Sequence, residues 1–364
     1  MARPTFATIH ADALRHNLAV LRAVAPASRL MAVVKADGYG HGLERVARSL
    51  SSADAFGVAS LSDAERLRAA GHEHPIVLLS GFDAPEDLPR MSQLSVQTVV
   101  HDANQLEMLG QATALAAPIR CWLKVDTGMH RLGFAPEEVR EAHSRLEAMP
   151  SVDAEVVLMT HFASSDALPA STADDGQTRA QLNAFAASTE GLAGPRSLAN
   201  SAAVLGWPQS HGDWIRPGGA LFGMSVVAGS PGAAFGLRPA MTLGTRLLAV
   251  KRIRRGERVG YGGAWTCPED MPIGVAAIGY GDGYPRLAPA GTPALVDGRP
   301  ARVIGRVSMD LMTLDLRDCP AAVAGAPVTL WGTGLPIETV AESAGTIAYE
   351  LSCSVTRRVR FIDD

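Results

Sequence analysis

Short apolar runs rich in β-branched residues recur through the first two thirds of the chain, at residues 30–34, 55–59, 75–79, 96–100, 119–125, 154–160, 196–199 and 216–223. Between them lie amphipathic stretches such as residues 63–71, in which a helical pattern closes on Gly71. Strand-length runs alternating with helix-length stretches over about 200 residues predict a (β/α)8 barrel. A doubly wound open sheet is the rival architecture, but no Gly-x-Gly-x-x-Gly follows the first run.

The texture changes near Ala233. Runs at 247–253, 273–278, 301–307, 312–316 and 328–331 are separated by Gly, Pro and Asp turns, and only 337–344 and 346–353 read as helices. The expected organisation is α/β: a barrel over residues 10–232 and a mainly β-stranded C-terminal domain over 233–364, joined by an N-terminal strand within 1–9.

Composition narrows the setting. A net charge of −4 with no long run of like sign argues against nucleic acid or an anionic membrane as partner. No stretch of 18 apolar residues predicts a spanning helix, and the N-terminus shows no signal-peptide pattern. The 4 cysteines are dispersed without a Cys-x-x-Cys pair, which points to a reducing cytoplasm and no metal site.

In a (β/α)8 enzyme the working side chains stand at the C-terminal ends of the strands. That rule selects Lys35 and Tyr39 after the first run and Lys124 to Arg131 after the fifth. It selects His161 after the sixth, Asn200 and Ser201 after the seventh, and Arg216, Gly218 and Gly219 at the eighth. A lysine delivered by an interior strand loses water; its pKa falls and its amine becomes a nucleophile suited to a Schiff base. Ser201 reads as a helix N-cap whose free N–H groups would receive a phosphate, and Gly218 and Gly219 let backbone approach an anion closely. Asp126 and Asp282 read as turn residues, and His41 as a residue that shapes its loop.

From end to end the chain resembles the alanine racemases, fold-type-III pyridoxal 5'-phosphate enzymes. The resemblance rests on segments 32–42, 124–133, 199–202, 216–218, 259–263, 279–285 and 305–310, which occur in family order. It implies a cytoplasmic homodimer with composite sites that interconverts L- and D-alanine, a supply of D-alanine as a peptidoglycan precursor. Lys35 would carry the cofactor and serve as one catalytic base, with Tyr261 of the partner subunit as the other. Cofactor contacts would come from Tyr39, His161, Asn200, Ser201, Arg216, Gly218, Gly219 and Tyr349. Arg131, Met309 and Asp310 would receive the substrate, Lys124 would be carbamylated, and Asp166, Tyr280, Arg286, Arg306 and Ile347 would line the entrance corridor. A basic amino-acid decarboxylase shares this architecture but predicts an acid at the pyridine nitrogen, where this chain has Arg216. A cofactor carrier would be a lone barrel, and a cofactor-free aldolase would leave the phosphate set without purpose.

Overall fold

The computed structural model describes residues 4–113, 115–167 and 176–364. Residues 1–3 of the expected N-terminal strand segment, and 114 and 168–175 of the expected barrel, lie outside them. The first strand, β1 (Phe6–Ile9), leads into a helix at Ala11–Val24. Eight parallel strands follow: β2 (Arg29–Val33), β3 (Ala55–Val58), β4 (Ile76–Leu78), β5 (Val96–Val100), β6 (Cys121–Lys124), β7 (Val157–Met159), β8 (Arg196–Ser197) and β9 (Trp214–Ile215). They are ordered β8-β7-β6-β5-β4-β3-β2-β9. The remaining seam is bridged by Asp213 N–H to the Arg196 carbonyl and Arg216 N–H to the Ala199 carbonyl, both 2.9 Å.

Side chains alternate across these strands and divide the core in two. Met31, Ala55, Val77, Val99, Trp122, Val157, Met159 and Trp214 fill the barrel interior, with the rings of Trp122 and Trp214 5.6 Å apart. Their neighbours, among them Leu30, Ala32, Phe56, Leu123 and Leu158, pack outward under the helices. The same alternation carries the inward row upward from Val33 to Lys35, from Trp122 to Lys124, from Met159 to His161 and from Trp214 to Arg216. Four polar side chains thus emerge at one mouth of the barrel.

Beyond the barrel come β10 (Met241–Ile253), β11 (Arg258–Val259), β12 (Trp265–Thr266), β13 (Met271–Ala276), β14 (Pro293–Val296), β15 (Arg299–Ile304), β16 (Met312–Asp315), β17 (Pro327–Trp331) and β18 (Arg360–Asp363). The long β10 pairs with β17 near one end and β13 near the other, so six strands close on themselves through β16, β15 and β14. Register shifts near Leu243 and Leu247 give β10 the bend this closure needs. β1 lies between β10 and β18, so the chain's two ends meet in this sheet.

Two expectations are corrected. The eighth barrel strand is Trp214–Ile215, and half of the run read as a strand at 216–223 is a short 3-10 helix, Gly219–Phe222. Ser201 does not cap the following helix: Asn200 does, its side chain accepting from Ala203 N–H at 3.0 Å. Strands β11, β12, β14 and β18 escaped the reading of the sequence altogether.

Candidate active site

Lys35 leaves β2 and immediately enters an unusual turn. Ala36, Asp37, Gly38 and Tyr39 all have left-handed backbone, with φ of 53°, 53°, 64° and 52°. For residues bearing a Cβ this costs roughly 1–2 kcal/mol each, so the surroundings must hold it. Gly38 N–H donates to the Val34 carbonyl at 2.9 Å and Gly42 N–H to the Asp37 carbonyl at 2.8 Å. The Asp37 carboxylate accepts from Leu43 N–H at 3.1 Å and from Arg66 at 2.8 Å. A Cβ on Gly40 would fall 2.1 Å from the Ser352 carbonyl oxygen. Glycine there admits the helix Ala348–Cys353, which carries Tyr349 to within 5.7 Å of the Tyr39 ring.

Tyr39 and Tyr349 converge on the Gly218-Gly219 backbone. A Cβ on Gly218 would lie 2.3 Å from the Tyr39 hydroxyl, and one on Gly219 would lie 2.7 Å from that of Tyr349. Burial raises both phenols well above their usual range, so both stay protonated and able to donate. Beside them the Ser201 hydroxyl accepts from Gly218 N–H at 2.7 Å and from Ala220 N–H at 3.3 Å. That leaves its own proton to give. Two phenols, a hydroxyl and side-chain-free backbone form a donor-rich cradle that fits the phosphate of pyridoxal phosphate.

The base of the site is cationic. Burial, then the Arg131 charge, lowers the Lys35 pKa, while Cys353 acts in the opposite direction. Lys124 is 7 % exposed, and burial followed by Arg216 and Arg131 pushes it down to about 7. His161 is driven well below its ordinary value, first by burial and then by the neighbouring Arg216, so it is a neutral imidazole at neutral pH. Arg216 keeps its charge although burial brings it to about 10. Its guanidinium is anchored on the Thr160 carbonyl at 2.6 Å, the Ser197 hydroxyl at 2.6 Å and the Leu198 carbonyl at 3.2 Å. These anchors went unread in the sequence, because the acceptors are two carbonyls and a serine with no local signature. Cys353 beside Lys35 and Gln181, which donates to the His161 carbonyl at 3.0 Å, were also unread.

Asp126 uses one carboxylate oxygen to accept N–H bonds from Gly128, Met129 and His130 at 3.0–3.1 Å. It thereby shapes the loop that presents Arg131, an exposed side chain over the mouth. His41 is fully buried with Nδ1 2.8 Å from the Tyr39 carbonyl, a contact within its own loop. Asp166 is placed near Tyr349, whose phenol its charge raises.

The other selected residues form a separate group on the β-rich sheet. Tyr261 is 66 % exposed and Met309 52 %. A Cβ on Gly262 would lie 3.5 Å from the Arg306 guanidinium, and Arg286 stacks 5.7 Å from the Tyr280 ring. Asp310 pairs with Arg358. Ile347, 61 % exposed, immediately precedes the helix that bears Tyr349.

Comparison with known proteins gives concordant matches. Residues 9–226 match the family model "Alanine racemase, N-terminal domain" and residues 240–362 "Alanine racemase, C-terminal domain". The chain is 52% identical over 356 residues to an alanine racemase of Nitrosococcus oceani, covering 97% of each. The structure is similar to the biosynthetic alanine racemase of Pseudomonas aeruginosa, with TM-score 0.95, 44% identity, and 100% and 99% of the two chains covered. It is also similar to an alanine racemase of Acinetobacter baumannii, with TM-score 0.93, 34% identity and 100% of both chains covered.

Proposed function

This chain belongs to the alanine racemase family, whose members are isomerases, and from that premise we propose a two-base interconversion of L- and D-alanine on pyridoxal phosphate. The observation that carries the reading is the desolvated Lys35 amine at the barrel mouth, one left-handed turn from the donor cradle of Tyr39, Ser201 and Tyr349. A lysine whose ammonium is disfavoured can both bond an aldehyde and hold a proton near neutral pH. When bound there, pyridoxal phosphate supplies the electron sink that makes an amino acid's α-proton removable.

The chain's own groups decide where that proton goes. Lys35 takes or gives it on one face of Cα, and Tyr261 of a second subunit does so on the other. Arg216 would donate a hydrogen bond to the pyridine nitrogen, and because an arginine does not part with its proton, it would leave that nitrogen unprotonated. That limits how far negative charge drains into the ring and favours return of the proton to Cα. Neutral His161 would stand beside the cofactor ring, and Arg131 with the Met309 backbone would receive the carboxylate, with Asp310 nearby. Asp166, Tyr280, Arg286, Arg306 and Ile347 would line the way in.

A homodimer follows from the need for Tyr261, and the exposure of Tyr261, Met309 and Ile347 supports a covering second copy. The 4 cysteines are free thiols, in keeping with a cytoplasmic enzyme that provides D-alanine for peptidoglycan. Among the described residues no helix is long and apolar enough to cross a membrane. The domain division at about 232/233, with β1 counted in the second domain, completes the reading.

Lys124 would carry a carbamate. With a pKa near 7, much of its amine is unprotonated at neutral pH and able to add carbon dioxide. The product would turn two repulsions, from Arg131 and Arg216, into two attractions. Protein prepared in 13C-bicarbonate should show a carbamate carbonyl resonance that Lys124→Ala lacks; a spectrum without it would exclude the modification.

The test of the reaction is incubation with L-alanine and pyridoxal phosphate in deuterium oxide. D-alanine carrying Cα deuterium is the expected product. An amine or keto-acid product would replace this reading by decarboxylation or transamination, and no turnover at all would reduce the protein to a cofactor carrier.

A further inference from the structure

Two loops of the β-rich sheet are pressed together more tightly than side chains allow. Tyr280 N–H donates to the Ser308 carbonyl at 3.0 Å, and Gly281 N–H to the Met309 carbonyl at 2.9 Å. A Cβ on Gly279 would lie 2.2 Å from the Ser308 carbonyl oxygen and 2.4 Å from that of Met309. One on Gly281 would lie 2.3 Å from Nη1 of Arg358. The glycines of this turn therefore make room for a neighbouring backbone on one side and a guanidinium on the other.

That guanidinium comes from a third segment, near the C-terminus. Thr356 lays the segment onto the turn, its hydroxyl donating to the Gly281 carbonyl at 3.0 Å and its N–H to the Asp282 carbonyl at 3.1 Å. Arg358 then reaches two carboxylates. Its Nε lies 3.2 Å from Asp282 Oδ1, and its Nη2 donates to Asp310 Oδ1. Asp282 is 0 % exposed, and its second oxygen accepts from Gly279 N–H at 3.1 Å. A carboxylate so enclosed requires a fixed positive partner. The planar fork of an arginine can satisfy it while holding a second acid; a point-charge ammonium cannot do both.

We propose that Arg358 is a positioning residue for substrate binding: by bridging buried Asp282 to Asp310 it fixes the Met309 backbone at the place where the substrate carboxylate is received. The inference rests on the reading of Met309 given above and adds to it the device that holds the loop. Asp282 is the anchor, Arg358 the strut, and Asp310 the end of the loop that is held. The strut touches neither substrate nor cofactor. Its effect falls on ground-state and transition-state binding of the carboxylate alike, which appears in KM rather than kcat.

Arg358→Lys keeps a positive charge against Asp282 and releases Asp310. In the cofactor-loaded dimer it should raise the KM for alanine about tenfold with kcat within about threefold of the parent. The inhibition constant of propionate, which presents the same carboxylate without the amine, should rise in parallel. Cofactor absorbance and dimer mass should not change. The pair Asp282→Asn with Arg358→Met leaves no buried charge unpaired, because Asp310 is half-exposed to solvent, and should show the same split. A folded Arg358→Lys with unchanged KM and propionate affinity would overturn the positioning role while leaving the reaction intact. Parent enzyme that racemises alanine but is not inhibited competitively by propionate would instead remove the carboxylate-site reading, and the inference with it.

Discussion

Lys35→Ala should lose racemisation by about 10⁴-fold or more, because the one side chain proposed both to bond the cofactor and to exchange a proton on its face is gone. The loss should not come from unfolding. Burial and the neighbouring Arg131 charge both disfavour the Lys35 ammonium. Removing it relieves repulsion at the barrel mouth, so the melting temperature should hold or rise. The phosphate cradle of Tyr39, Ser201 and Tyr349 is untouched, and cofactor should still bind, though without a covalent link to the chain. Absorbance after borohydride treatment and a stopped D-alanine assay together make the check. Activity within tenfold of the parent would mean that another amine serves, with Lys124 the first candidate.

Mixing two inactive variants should restore activity if the site is shared between subunits. Lys35→Ala and Tyr261→Phe homodimers each lack one base in both sites. In a hybrid dimer one site lacks both bases and the other has both. Random exchange of equal amounts should therefore return about a quarter of the parent's sites, as a two-fold interface dictates. The exposed position of Tyr261, 66 % accessible, is the structural ground for this expectation. Unfolding and refolding the mixture, with each variant treated alone as control, gives the measurement. No recovery from a mixture shown by mass to contain hybrids would place both bases in one chain and defeat the composite site.

Much of the barrel was legible because its strands bury both faces. Runs such as residues 30–34 and 96–100 stand out for that reason, and β2 and β5 lie on them within a residue. The eighth strand failed for a reason of the same kind. The apolar run Ala220–Phe222 is fully buried as a 3-10 turn, and burial alone does not distinguish a strand from a short helix. Asn200 and Ser201 are neighbours of the same capping class, so composition could not decide which one caps; the hydroxyl of Ser201 is taken up by the Gly218 turn. Gly38 announced a turn, but nothing in Ala36 or Tyr39 announces left-handed backbone, which tertiary contacts impose. Arg358 was invisible because its two partners in the clasp come from segments some 75 and 50 residues away.

The cations at the barrel mouth belong to a chain whose net charge is −4. At long range such a protein has no attractive field for anions, whereas Arg131 and Arg216 offer one within a few ångströms. Alanine is a zwitterion and carries no net charge to steer. Under the proposed function its arrival would then be a matter of diffusion, and its electrostatic recognition would begin only at the mouth, where its carboxylate and ammonium are felt separately. The handedness at Cα changes neither charge. A site that held alanine by its carboxylate and left both faces of Cα to opposed bases, as proposed, would have no electrostatic reason to prefer one enantiomer, in keeping with an equilibrium near unity.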